Sequence, residues 1–352
     1  MEPFKNVYNP TSIQKISDFV KMYAKDAFDE KGFTTKVLAT LPDLEMKDRV
    51  RLITDTFHDT LPISYKKKIA IFNQTLALDN EIESVSTHEQ GAKTGLNGFL
   101  IWPFLQYIET YGLDDFDTSF KGMYEMTKRF TAEFAIRPFL QCDDKYVFRV
   151  LEQWKKDPNK HVRRLCSEGI RPILPWGLKV KSLEQTLPRN IKMLEYLRDD
   201  SSQYVRTSVA NHLKDISAID TGLMLSTCKS WNQGNVSKER QWVIRRASQN
   251  LLKKGHPEAL RLHGYHTSSK IELEKFTLSN NKVKEGGKLT LTCTIKNHGL
   301  KDQKVLIDYV IGYLKKDGSI FPKPFRLRDT QLLAGNQLLI VKDIHFKRSN
   351  YS

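Results

Sequence analysis

Three successive stretches of this chain repeat one pattern. WKKDPNKHVRRLCSEGIRP begins at Trp154, YLRDDSSQYVRTSVANHLKD at Tyr196 and QWVIRRASQNLLKK at Gln241. Aligned on Val162, Val205 and Ile244, they recur 43 and 39 residues apart. Each reads as a polar turn followed by a helix that opens with an apolar residue and an arginine. One such unit cannot bury its apolar stripe alone, so neighbouring units must stack on one another. A recurrence of this length excludes most other all-helical arrangements and points to a solenoid with a concave face.

Periods near 40 built from helix, turn and helix resemble HEAT repeats. In such an array the Val packs between units and the following Arg projects from the inner helix. Arg163, Arg206 and Arg245 then recur at equivalent places, a spacing that suits the phosphates of a nucleic acid backbone. The competing reading pairs the same arginines with Asp157, Asp199 and Asp200 between repeats. The net charge of +15 favours a polyanionic partner, although solubility alone also tolerates it.

Within the first repeat, Val162, Leu165, Cys166, Gly169 and Ile170 recur at helical spacing, and Pro172 and Pro175 end the helix. Glu168 lies on the edge of that stripe and Trp176 just past the helix end. In the second repeat Asp215 borders a packed stripe of Ser208, Val209, His212 and Ile216. An acid near a helix C-terminus opposes the helix dipole, so a functional reason is attractive; Lys214 and solvent are its ordinary partners. Upstream, Met123 to Leu140 reads as one helix with Met126, Phe130 and Phe134 on a face that also carries Glu133. Glu133 has an ordinary explanation in an i,i+4 pair with Arg137. A carboxylate on an apolar stripe still needs a partner or a purpose.

Residues 11 to 115 read as helices with short joins at Leu41-Pro42 and Leu61-Pro62, and no catalytic spacing is visible there. His58 and His88 stand alone and read as surface or satisfied residues. Cys142, Cys166, Cys228 and Cys293 are too far apart for a zinc site and read as reduced thiols. The most apolar run, Phe99 to Ile108, is too short to span a bilayer.

After about Gly264 the period changes to two. Leu289, Leu291, Cys293 and Ile295 alternate with threonines, and Ile271–Leu278, Val305–Leu314, Phe325–Leu332 and Leu338–Phe346 are further strand candidates. Turn signals at Gly286-Gly287, Asp317-Gly318 and Gly335-Asn336 separate them. A mainly α chain is therefore expected. Residues 1–264 form the helical repeat solenoid, and residues 265–352 a small immunoglobulin-like β-sandwich. About five strands are visible against the usual seven, so a final strand is expected to be missing or supplied from elsewhere. From His266 onward sixteen Lys and Arg face eight Asp and Glu, which suggests contact with a DNA backbone.

RRLCSEGIRPILPW, YVRTSVANHLKD and RFTAEFAIRPFL together resemble the AlkC branch of the AlkC/AlkD DNA alkylation-repair glycosylases. That branch couples a helical solenoid to a C-terminal immunoglobulin-like domain, so the resemblance extends across both parts of the chain. It implies hydrolysis of the N-glycosidic bond of cationic N-alkylated bases in double-stranded DNA, leaving an abasic site. The lesions implied are 3-methyladenine, 3-methylcytosine and 1-methyladenine. The acidic site residues carry over onto Glu133, Glu168 and Asp215, and the site aromatic onto Trp176, with core packing as the competing role of that tryptophan. No metal and no organic cofactor is implied. The expected setting is cytoplasmic, as a monomer that meets the nucleoid through DNA and has no membrane contact. The related AlkD branch acts without a tight base pocket. Two other classes fit a HEAT-like array: a noncatalytic protein adaptor, and a DNA-binding relative that has lost base release.

Overall fold

A computed structural model of the protein describes residues 3–78, 93–266 and 270–346. His88 lies outside the described residues. The chain divides into two compact units, residues 1–247 and 248–352, ahead of the composition change at Gly264.

The first unit is a helical repeat. Helices α1 (Pro10–Ala24), α2 (Glu30–Thr40), α3 (Met46–Thr60) and α4 (Tyr65–Gln74) open it, and α5 (Trp102–Tyr111) packs against α3. Their shared core is aromatic: Phe33 stacks on Phe57, and Phe72 on Phe104 with ring centroids 4.2 Å apart. His58 is satisfied, its Nδ1 lying 3.1 Å from the Tyr107 hydroxyl.

Met123 to Leu140 does not form one helix. Helix α6 (Phe116–Thr127) stops, a turn follows, and α7 (Arg137–Cys142) begins with Pro138 in its first turn. The break has a local cause. The Thr127 hydroxyl accepts the Ala132 N–H at 2.8 Å, offering the backbone a partner outside the helical ladder. Proline then pre-sets the start of the next helix. Glu133 therefore sits in a turn, not on a helical face.

Helices α8 (Asp144–Trp154), α9 (Lys160–Glu168), α10 (Lys181–Gln185), α11 (Leu187–Leu197), α12 (Gln203–Ile219), α13 (Thr221–Trp231) and α14 (Lys238–Ala247) carry the repeats. Helix α9 packs on α12, and α12 on α14. Val162, Val205 and Ile244 are buried between them, as the alignment requires. The recurring arginine has a structural cause as well. Arg163 Nη1 donates to the carbonyls of Asp157 and Pro158, and Arg206 Nη1 to those of Asp200 and Ser201. In both repeats the side chain folds back onto the turn that precedes its own helix.

The second unit carries two short helices, α15 (Gln249–Lys253) and α16 (Pro257–Leu262), ahead of five strands. These are β1 (Ile271–Leu278), β2 (Lys288–Asn297), β3 (Gln303–Leu314), β4 (Ile320–Leu332) and β5 (Gln337–His345). One antiparallel sheet has the order β1-β2-β5, and β3 and β4 form a separate hairpin. The strands coincide with the alternating segments of the sequence. Leu291, Cys293 and Ile295 of β2 join Val305, Leu332, Ile340 and Ile344 in the core between the sheets. The unit is immunoglobulin-like. All four cysteines are free.

Candidate active site

Helix α9 ends at Glu168 because Pro172 and Pro175 follow, and this places the carboxylate at the head of a tight loop. Helix α12 runs alongside and faces it with Ser208, His212 and Asp215 at positions i, i+4 and i+7, one face of a helix. Three rungs join the two elements. Ser208 Oγ donates to Glu168 Oε2 at 2.6 Å and lies 2.9 Å from Ser167 Oγ. His212 Nδ1 lies 3.0 Å from the Ser167 carbonyl oxygen and so carries its proton there. Asp215 receives Arg171 side-on, with Oδ2 2.7 Å from Nε and Oδ1 3.0 Å from Nη2.

Arg171 also reaches Glu168, its Nη1 2.7 Å from Oε1. Arg164, one turn before Glu168, lies 3.3 Å from the same carboxylate and donates through Nη1 to Glu133 Oε2. The result is a continuous alternation: Glu133, Arg164, Glu168, Arg171, Asp215. The three predicted acids, from one turn and two helices, are brought together by two guanidiniums: Arg164, a basic neighbour of Glu168 in the sequence with no partner assigned to it among the acids, and Arg171, which sequence reasoning does not single out. Their signal was present: Arg164 and Arg171 stand at i−4 and i+3 from Glu168, the spacings at which helix-borne charges meet. What the chain order could not reveal is that the same two arginines would also reach Glu133 and Asp215.

The network is largely shielded from water, with the side chains of Glu133, Glu168 and Asp215 only 13%, 6% and 9% exposed. Burial raises the pKa of Glu168, but Arg164, Arg171 and the Ser208 hydrogen bond outweigh it, so Glu168 titrates below the ordinary carboxylate range. At Asp215 burial prevails over the pull of Arg171 and raises the pKa. Burial also lowers the pKa of His212, to about 3, which keeps that ring neutral. Both oxygens of Glu168 and both of Asp215 are engaged by side chains. Glu133 Oε2 is held by Arg164 and Thr131, whereas no partner among the described residues engages its Oε1.

The pairing of Glu133 with Arg137 is not formed. Arg137 is buried beneath the loop after α9, where it donates to backbone carbonyls, and burial together with Arg171 lowers its pKa to about 10. Nor does Asp215 look to Lys214 and solvent. Trp176 is not a core residue: it is 66% exposed, with a positive φ of 64°.

At Arg163 the competing ion-pair reading is the one formed, with Asp200 as partner. The arginine's Nε and Nη2 grip Asp200 at 2.6 and 2.9 Å, and Nη1 takes the two turn carbonyls, so four of its five N–H groups are committed. Arg206 is 8% exposed and adds a bond from Nη2 to Gln203 Oε1 at 2.8 Å. Arg245 is half-buried on α14. Asp199 pairs with Arg240, not with a repeat arginine. Arg163 thus ties one repeat to the next, while Arg206 braces the turn of its own repeat.

Comparison with known proteins places these features in context. The family described as "Uncharacterised protein YhaZ, C-terminal Ig-like domain" matches residues 272–350. The Uncharacterized protein YhaZ of Bacillus subtilis (strain 168) is 34% identical over 332 residues, 94% of this chain and 87% of that protein. Among solved structures, Pseudomonas fluorescens alkylpurine DNA glycosylase AlkC, bound to DNA containing an abasic site analog, matches with a TM-score of 0.87 and 29% identity. The match covers 100% of this chain and 92% of the other.

Proposed function

This chain belongs to the AlkC branch of the AlkC/AlkD family, and from that premise we propose that it is a DNA glycosylase acting on alkylated bases. The substrates proposed are duplex DNAs bearing cationic 3-methyladenine, 3-methylcytosine or 1-methyladenine. The observation that carries the reading is the alternating network, in which three carboxylates face two guanidiniums inside a water-poor site. Such a network is weak evidence for stability, because buried ion pairs are often matched by apolar packing. It suits a cationic reactant instead, since it holds one negative charge in excess.

The chemistry follows from that excess. N-alkylation makes the base a cationic leaving group. As the N-glycosidic bond lengthens, its electron pair moves to the base, and positive charge develops at the sugar. Fixed carboxylates stabilise that charge without reorganising at the moment of reaction. Water adds its oxygen to the sugar carbon, and its proton passes to a carboxylate or to solvent. Glu133 has an uncommitted oxygen and is the acid best placed to meet the sugar or the water. Asp215, at the other end of the network, has the raised pKa that suits a proton acceptor. Glu168 lies between, held on both oxygens, and keeps the two arginines in register. Trp176 offers an exposed aromatic face to a cationic base or sugar. Phosphate contacts are proposed for Arg245 and the basic second unit, with Arg163 and Arg206 bracing the turns that precede their own helices.

The deciding experiment is base release from methylated duplex DNA by the purified chain. Free 3-methyladenine with a matching number of abasic sites is the expected outcome. DNA binding without release identifies a silent binder, and neither activity identifies an adaptor; both overturn the proposal.

A further inference from the structure

The loop after α9 is held from underneath with unusual thoroughness. Arg137, fully buried, donates through Nη1 to the carbonyls of Gly169 and Arg171 at 3.1 and 2.9 Å, and through Nε to that of Leu178. Lys47, on α3, donates to the Trp176 carbonyl at 2.5 Å, and its ammonium lies 5.4 Å from the Phe134 ring centroid. Gln141 Nε2 holds the carbonyl of Lys179 at 2.8 Å. Even Gly177 is tight against this support, since a Cβ there would stand 3.1 Å from Arg137 Cδ.

What is held so firmly is an exposed apolar surface. Ile173, Trp176 and Leu178 are 46%, 66% and 44% exposed, while Arg137 beneath them is not exposed at all. Trp176 takes a left-handed backbone conformation that a bulky residue adopts only when its surroundings impose it. The loop also begins at the acids, because Arg171 within it pairs with both Glu168 and Asp215. A buried guanidinium spent on carbonyls, not on a carboxylate of its own, fixes the shape of a backbone.

We propose that Arg137 and Lys47 are positioning residues, which hold the 169–178 loop in a preformed shape so that Trp176 meets DNA at the reacting nucleotide. The proposal rests on the glycosylase reading of the acid network. It assigns work to two residues that touch neither the acids nor the lesion. Lys47 does so from the N-terminal helices, far from Trp176 in the chain.

The test is a double-mutant cycle on the full chain. Lys47→Met keeps the aliphatic stem and deletes the bond to the Trp176 carbonyl. Because Lys47 is exposed, folding and thermal stability are expected to stay at the parent level. Arg137→Lys keeps a charge and loses the three-carbonyl clamp. Each is compared alone and with Trp176→Ala, in single-turnover excision and in affinity for abasic-site DNA. A misplaced group can cost up to about a hundredfold in rate. Lys47→Met is expected to lose roughly tenfold in rate with little change in affinity, and nothing further in the Trp176→Ala background. Amide exchange at Ile173, Leu174 and Trp176 to Lys179 is expected to accelerate in both variants. Additive losses would overturn the proposal, as would a Lys47→Met effect confined to DNA affinity and its salt dependence. Arg137→Lys is a buried change, so if it fails to fold, Lys47→Met carries the test. If the parent chain releases no base, the glycosylase reading fails separately. The exchange measurement then decides whether the loop is locked by these two residues.

Discussion

Glu168 and Asp215 share a guanidinium: Arg171 lies 2.7 Å from an oxygen of each. Without it, two carboxylates would face one another in a low-dielectric site, where like charges cannot both remain ionised. Arg171 draws both pKa values down, but burial prevails at Asp215 while Arg164 and Arg171 together prevail at Glu168, so the two are separated, Asp215 upward and Glu168 downward. Pairs of acids whose surroundings separate them in this way mark acid–base assignments in many enzymes.

Neutralising the acids separates catalysis from binding. Glu133→Gln, Glu168→Gln and Asp215→Asn keep size and delete charge. Each is expected to bind DNA at least as well as the parent and to excise about a hundredfold more slowly, the loss on removing one preorganised electrostatic partner. Glu133 is expected to matter as much as Asp215, because its Arg137 pairing is not formed and one of its oxygens is engaged by no described residue. The measurement is single-turnover release from a 3-methyladenine duplex at saturating enzyme. Parent-like rates in all three variants would refute the mechanism.

Titration reports the same division. The ionised form of Asp215 is lost as pH falls through a pKa above 3.8, so the acid limb of the excision rate is expected above the ordinary aspartate range. Stability responds with opposite signs at the two acids. Glu168 has a depressed folded pKa, so its contribution is present above the unfolded value and lost as pH falls through the folded one. Asp215 is raised, so its ionisation opposes folding as pH rises through its folded pKa. Urea unfolding across acid pH is expected to show a weaker decline toward low pH in Glu168→Gln than in the parent. An identical decline would contradict the assignment.

Arg163 should behave as a structural residue. Arg163→Ala removes a two-pronged bond to Asp200, whose side chain is 6% exposed, together with two turn carbonyl bonds. A loss of about 2 kcal/mol in unfolding free energy is expected, as for charged hydrogen bonds. The slope of DNA affinity against salt should be unchanged. A slope reduced by about one counterion would return Arg163 to the phosphate array.

The second unit is expected to supply much of the salt dependence. A chain ending at Ala247 keeps the whole core of the first unit and should remain folded. Its DNA affinity should fall and its salt slope flatten, because the strongly basic segment from His266 is gone. Circular dichroism checks the fold and a salt titration of binding checks the slope. An unchanged slope would remove the second unit from the DNA surface.

Much of this protein is written in its periodicities. A 40-residue recurrence with an apolar residue at each helix start requires stacked helices, and strict alternation after Gly264 requires strands, because burial must follow the geometry of the backbone. Glu168 and Asp215 could be singled out on the same basis, as charges at the margins of apolar stripes. The sequence could not say who their partners are. Helical spacing puts Glu133 on a helix with Arg137 as its neighbour four residues on, but a threonine hydroxyl and a proline interrupt that helix. In the folded chain Glu133 finds Arg164 from the next repeat, and Arg137 turns inward to backbone carbonyls. Arg163 and Arg206, two rungs of what looks like a phosphate ladder, fold back onto their own turns. Periodic patterns report which face of an element is buried. Ion-pair partners and the fate of a long side chain depend on distances across repeats, and those exist only once the helices have stacked.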